Sequence, residues 1–223
     1  MLARLFVPLS FDIAIPKTAL FRTYNYESSG YSVQELPPSY LDDRNRDSDP
    51  ATITINGESA VLPNILRIDF WKDSFDRQRG VGCDPPQSVL TAAVNSFLLR
   101  LRHVVNAHQV RGPELSMREW RLEYTNDDGT PLEPTTGFAV AHGSSPLLSV
   151  SFVCLTPEIW SRMHELPVNY EPLPWEVPIL DATGELPDVG TAIVLGATAL
   201  EVFIGRILQP LATARGVPEM LWS

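Results

Sequence analysis

Three side chains define the chemistry this sequence could offer: Arg102, His108 and Glu201. Arg102 opens the run Arg102-His103-Val104-Val105-Asn106-Ala107-His108. An arginine and a histidine in one run could in principle serve one site. Helical geometry argues against their joint use, because a six-residue step leaves Arg102 and His108 roughly 120° apart. His108 also falls on the apolar stripe of Leu101, Val104 and Val105. The run therefore reads first as a helix that covers a sheet, with a surface Arg and an interfacial His. His103 and His108 are five apart, about 140° around a helix, whereas joint chelation prefers a four-residue step. Cys83 and Cys154 stand in no framework or ligand spacing. No metal site is expected, and no cofactor: Gly-Lys-Ser/Thr is absent, Gly80-Val81-Gly82 lacks a third glycine, and no Gly-x-Ser-x-Gly occurs.

Glu201 lies in the middle of the segment Pro187 to Arg215, which reads as one long, largely apolar helix. Asp188 is placed to cap it, since its carboxylate can accept from first-turn N–H groups. Val189, Ile193, Gly196, Leu200, Phe203, Ile207 and Leu211 follow helical spacing, and Ile204 and Leu208 widen the stripe. Pro210 is expected to kink or end the last turn. Gly190, Gly196 and Gly205 each cost about 1 kcal/mol relative to Ala in a helix interior, a cost that a closely packed partner helix would offset. The apolar run from Val189 to Ile204 is shorter than the ~20 residues of a bilayer span and contains Glu201, so no membrane is expected. Glu201 either sits at the edge of the stripe and reaches water, or is buried against a cation from another helix.

The stretch D-V-G-T-A-I-V-L-G-A-T-A-L-E-V-F-I-G-R-I-L, followed by E-M-L-W, resembles the opening helices of HEPN-like domains of the Apea-like group, over about residues 187–222. The resemblance implies a four- to five-helix bundle, often dimeric, in a family with metal-independent ribonucleases and inactive binding modules. It implies that Glu201 is the acid that orients an Arg-His motif on a later helix, and the run from Arg102 to His108 resembles the form of that ribonuclease motif. Such a motif is not found after Glu201 in these 223 residues, so the bundle is expected to be truncated.

The chain carries a net charge of −10, which argues against a general binder of nucleic acid or anionic membrane. Two cysteines and the absence of a cleavable leader pattern after Met1 make a cytoplasmic protein the expectation. One region is net basic: Arg100, Arg102, Arg111, Arg118 and Arg121 face only Glu114 and Glu119. It is expected to oppose the acidic segment between residues 26 and 50 rather than to hold an anionic ligand.

These residues need elements to position them. Strands are expected at 2–9, 19–25, 51–56 and 65–72, with Leu66, Ile68 and Phe70 on one face of the last. Residues 26–50 read as a long polar loop. Asp84, Pro85 and Pro86 begin a helix whose stripe is Leu90, Val94, Phe97, Leu98, Leu101, Val104 and Val105. A three-stranded meander follows, with Trp120, Leu122 and Tyr124 on its first strand, Phe138 and Val140 on its second, and Leu148, Val150, Phe152 and Cys154 sharing one face of its third. Thr156-Pro157 opens a short helix. The fold class is α+β: an antiparallel sheet of about five to seven strands covered by one long helix, then a C-terminal helical segment. The domains are residues 1–172, a binding or sensing unit, and 173–223, the start of a bundle. The expected function is non-catalytic: sensing or binding joined to dimerisation, or a self-contained interaction protein, with self-association or a partner helix docking on the 189–211 face. RNA is a partner only in the third reading, a ribonuclease using Arg102 and His108.

Overall fold

The computed structural model describes residues 2–39, 52–55, 57–72, 85–110, 120–126, 130–138, 152–186 and 188–217. The fold is α+β. It divides into two compact units, residues 1–105 with 110–170, and residues 106–109 with 171–223.

Among the described residues the first unit holds ten strands in two sheets. Strands β1 (Leu2–Pro8), β3 (Tyr24–Ser28), β4 (Tyr31–Ser39), β7 (Ile65–Trp71), β8 (Trp120–Thr125) and β9 (Pro131–Phe138) form a six-stranded antiparallel sheet in the order β3-β4-β7-β1-β8-β9. Strands β2 (Asp12–Pro16), β5 (Thr52–Ile55), β6 (Glu58–Val61) and β10 (Phe152–Cys154) form the second sheet, ordered β10-β2-β6-β5. Alternation sets the faces of the large sheet. Ala3, Leu5 and Val7 of β1, Leu66, Ile68 and Phe70 of β7, and Leu122 of β8 are all fully buried. Helix α1 (Gln87–Val105) buries Leu90, Val94, Phe97, Leu98 and Leu101. Its Arg100 reaches Glu35 of β4 and lies over the Tyr24 ring of β3, so α1 lies over that inner face. Helix α2 (Pro157–Glu165) follows the second sheet; Thr156 caps it by accepting from the Ile159 N–H at 3.3 Å.

Three sequence expectations for this unit are corrected. Residues 26–39 are not loop but most of the hairpin β3–β4, turned at Ser29-Gly30, both at positive φ (52° and 79°). Two left-handed residues match the twist of a two-residue hairpin, and the polar residues between lie on its outer face. The strand expected at 19–25 begins only at Tyr24. The third strand of the meander is β10, which pairs parallel to β2 rather than beside β9. Its Val153 is buried while Phe152 is exposed, the reverse of the expected face. Leu148, Val150, Asp84, Arg111 and Arg118 lie outside the described residues.

The second unit contains helix α3 (Glu176–Gly184) packed on helix α4 (Val189–Ala214). Asp188 caps α4 as expected, accepting from the N–H of Gly190 at 3.2 Å and of Thr191 at 3.4 Å. Pro210 does not end the helix, which runs through it to Ala214. A proline near the last turn deprives the helix of one bond only. Termination is set by Gly216 at φ 67°, with its N–H on the Thr213 carbonyl and the Val217 N–H on the Ala212 carbonyl. That pair of bonds is the Schellman ending, which wants a left-handed residue at this position.

Candidate functional site

Two features stand apart from an ordinary core and surface. The first is a polar cluster inside the first unit. Glu35 and Arg100 have no exposed side-chain surface, and Arg100 Nη2 donates to Glu35 Oε1 at 2.5 Å. Arg100 Nε donates to the Ser96 carbonyl at 3.1 Å. The other carboxylate oxygen, Oε2, accepts from His164 Nε2 at 3.2 Å. Tyr24 stacks on His164 with ring centroids 4.0 Å apart, and Trp160 meets the same imidazole edge-on at 4.3 Å. Trp160 Nε1 donates to the Arg22 carbonyl at 2.7 Å. The Tyr26 phenol is held far above its ordinary pKa, first by burial and then by the negative charge of Glu35. One acid thus joins β4 to α1 and α2, with the rings of β3 around it. An isolated buried carboxylate would be strongly unfavourable, so Arg100 is what permits Glu35. The geometry of the cluster fixes two helices on a sheet.

Glu35 was not singled out by its sequence context. Arg100 was, as part of the basic region expected to oppose the acidic 26–50 segment, and Arg100 with Glu35 is one such pairing. Arg121 takes another acid, Glu123, at 3.0 Å, and lies 4.7 Å from the centre of the Phe6 ring. On the same outer face Arg67 forks onto Asp69, Nε to Oδ1 at 2.9 Å and Nη2 to Oδ2 at 2.5 Å. That hydrogen bond raises the Arg67 pKa further.

The residues proposed for chemistry from sequence lie elsewhere. Arg102 is half-buried on α1 in the first unit. His108 is exposed and belongs to the second unit, its ring so close to Gly184 that a Cβ there would stand 2.9 Å from His108 Cδ2. Glu201 is exposed on α4. His103, also exposed, shares a 2.7 Å hydrogen bond with the Tyr170 hydroxyl. Among the described residues no group of three or more His, Cys, Asp or Glu is arranged to hold a metal.

The second feature is α4 itself. Val189, Ile193, Val194, Leu200, Leu208 and Leu211 are each more than half exposed, and Phe203, Ile204 and Ile207 are at least two-fifths exposed. Packing with α3 buries only Ala199 fully, with Trp175 edge-on to Phe203 at 5.2 Å. A Cβ at Gly196 or Gly205 would meet nothing within 4 Å, so the notches expected to receive a partner helix are open. The premise that the apolar run is too short to cross a bilayer does not hold for the helix as formed. Its 26 residues are long and apolar enough by length and composition. The buried core helix of a soluble protein can have the same length and composition, but α4 is largely exposed.

Comparison with known proteins gives no match: no family model covers the sequence, and neither a curated protein nor a solved structure is significantly similar.

Proposed function

We propose that this protein is a non-catalytic interaction protein that self-associates through the exposed face of α4, with the α+β unit as its binding or sensing domain. The observation that carries the reading is the nine large apolar side chains in the open along one helix. Together they offer a partner on the order of 800 Å², the area one side of a standard interface buries. The largest apolar patch on an ordinary monomer is roughly 300–600 Å². Gly196, at the border of that face, points the same way: it weakens the helix, and among the described residues a Cβ there would meet nothing within 4 Å.

A bilayer is the competing occupant. It would place Glu201 near the middle of the span, with Arg206 little more than one turn away. A central charge costs about 2.5–3.5 kcal/mol even on the lenient insertion scale. A helix partner leaves both residues at the wet margin.

In this reading α3 and α4 open a HEPN-like bundle, and Glu201 is the acid that the Ala-Thr-Ala-Leu-Glu stretch of that family supplies. The kinship is supported by that sequence on a long capped helix, and it is tested separately. RNA incubated without metal should survive equally with the natural chain and with His108→Ala. Cleavage that the substitution abolishes would restore the ribonuclease reading.

The association itself is tested by light scattering of the natural chain and of the triple variant Ile193→Asp, Leu200→Asp, Ile207→Asp. The natural chain should have at least twice the chain mass and the variant the single mass, with unchanged circular dichroism. A natural chain that is monomeric in detergent-free buffer overturns the proposal. So does one that floats with neutral phosphatidylcholine vesicles and loses that property in the triple variant.

A further inference from the structure

The exposed face of α4 has an internal order that goes beyond its greasiness. Ile193, Ala197, Leu200, Ile204, Ile207 and Leu211 recur at steps of 4, 3, 4, 3 and 4, and all six are exposed. This is the two-per-heptad spacing of a helix seam, in which each side chain enters a gap between four on the facing helix. Five of the six are large and one, Ala197, is small. Paired with itself in parallel, the seam would set Ala197 against Ala197 and leave a thin layer beside thick ones. Run in the opposite direction, the same seam pairs Ile193 with Leu211, Ala197 with Ile207 and Leu200 with Ile204. Each of those pairs is centred on Val202, and the helix Val189–Ala214 has its midpoint between Glu201 and Val202. The antiparallel arrangement therefore evens the layers and overlaps the helices along nearly their whole length.

Resting on the reading of α4 as a self-association face, we infer that its partner is the α4 of a second copy, antiparallel, about a two-fold axis that crosses the seam at the height of position 202, between Leu200 and Ile204, so that two α3–α4 hairpins make a four-helix bundle. A two-fold interface uses the same patch on both copies, and short-looped helices pack in this way around a shared apolar core. Charge does not oppose it strongly. Glu201 and Arg206 are the only charged residues of α4, so the helix is neutral within a chain of net charge −10. The arrangement has one signature cost. Glu201 flanks the seam close to the axis, and antiparallel packing sets the two copies of Glu201 along the same edge. At a wet margin such a like-charge pair is a small term, outweighed by the apolar area.

The test uses the full chain with Cys83→Ser and Cys154→Ser. Ile193→Cys and Leu211→Cys are prepared separately with tags of different mass, then mixed, allowed to exchange, and oxidised. A mixed crosslinked pair is expected, and neither variant alone should crosslink to itself. In a parallel dimer the two positions lie about 27 Å apart along the axis, each variant would crosslink alone, and the mixed pair would be missing. That result, or a dimer that gives no crosslink in any sample, overturns the antiparallel assignment while leaving self-association standing. A monomer by light scattering removes both. Glu201→Gln supplies an independent readout: it should tighten dimerisation at low salt, with a smaller gain at high salt. Weaker dimerisation in Glu201→Gln counts against an axis between Leu200 and Ile204.

Discussion

In the first unit a complete ion pair, Glu35 with Arg100, has no exposed surface; in the second, nine large apolar side chains of a single helix lie in the open. Charged residues are rarely fully buried unless paired, and large contiguous apolar patches are rarely left uncovered. The body resolves its anomaly internally, because both oxygens of the Glu35 carboxylate are taken, one by Arg100 and one by His164, and Arg100 also donates to the Ser96 carbonyl; its Nη1 has no hydrogen-bond partner among the described residues. The hairpin does not, since α3 covers only one side of α4. An internal polar cluster holds elements of one chain in register, whereas an uncovered apolar helix face has its stabilising contacts still to make.

The sharpest way to break this contrast is to remove one half of the ion pair. Arg100→Met should lower unfolding free energy by about 3–5 kcal/mol, the usual cost of leaving a buried charge without its partner. Urea denaturation measures it. Adding Glu35→Leu should recover most of that loss, since a buried pair can often be exchanged for apolar residues with little net change. If the double variant is no more stable than the single one, the ion pair is doing more than compensating itself. His164→Phe is a milder probe. It keeps an aromatic ring for Tyr24 and Trp160 but removes one hydrogen bond to the carboxylate, so about 1–3 kcal/mol is expected by the same measurement.

The smallest effect belongs to the start of α4. Thr191, through its side chain first and its backbone second, holds the Asp188 carboxyl below the usual carboxylate range. Its folded pKa is thus lower than its unfolded one. The cap is complete above the unfolded value and is lost as pH falls through the folded value. Amide exchange at Gly190 and Thr191 should quicken in Asp188→Ala at neutral pH, and in the natural chain only on acidification. Equal exchange in both at neutral pH would show that the cap does not hold the first turn.

Much of the fold was legible because its signals are local. The stripe of α1, the alternation of Leu66, Ile68 and Phe70, the Thr156 cap and the Asp188 cap each depend on neighbours within one or two turns. The hairpin β3–β4 was hidden by composition: one of its faces is polar, and on the other the buried Tyr31 and Val33 alternate with only the acid Glu35. Glu35 looked like a solvated residue because its partner is 65 positions away. No spacing rule reaches that far. Strand β10 was misplaced for a related reason, as three residues bonded in parallel to β2 leave no pattern of their own. Pro210 was read as a kink or a terminator, while the real stop depended on a bond from Val217 back to Ala212. On α4 the stripe itself was readable. That α3 would cover a different side of it was not, because the choice of face is made in three dimensions.

The scarcity of charge on α4 also bears on temperature. Hydrocarbon contacts draw their strength from water, and they weaken as water cools. A seam of isoleucine and leucine would accordingly be loosest on ice and firmer near body warmth, so chilled storage is the condition in which copies of this chain would drift apart.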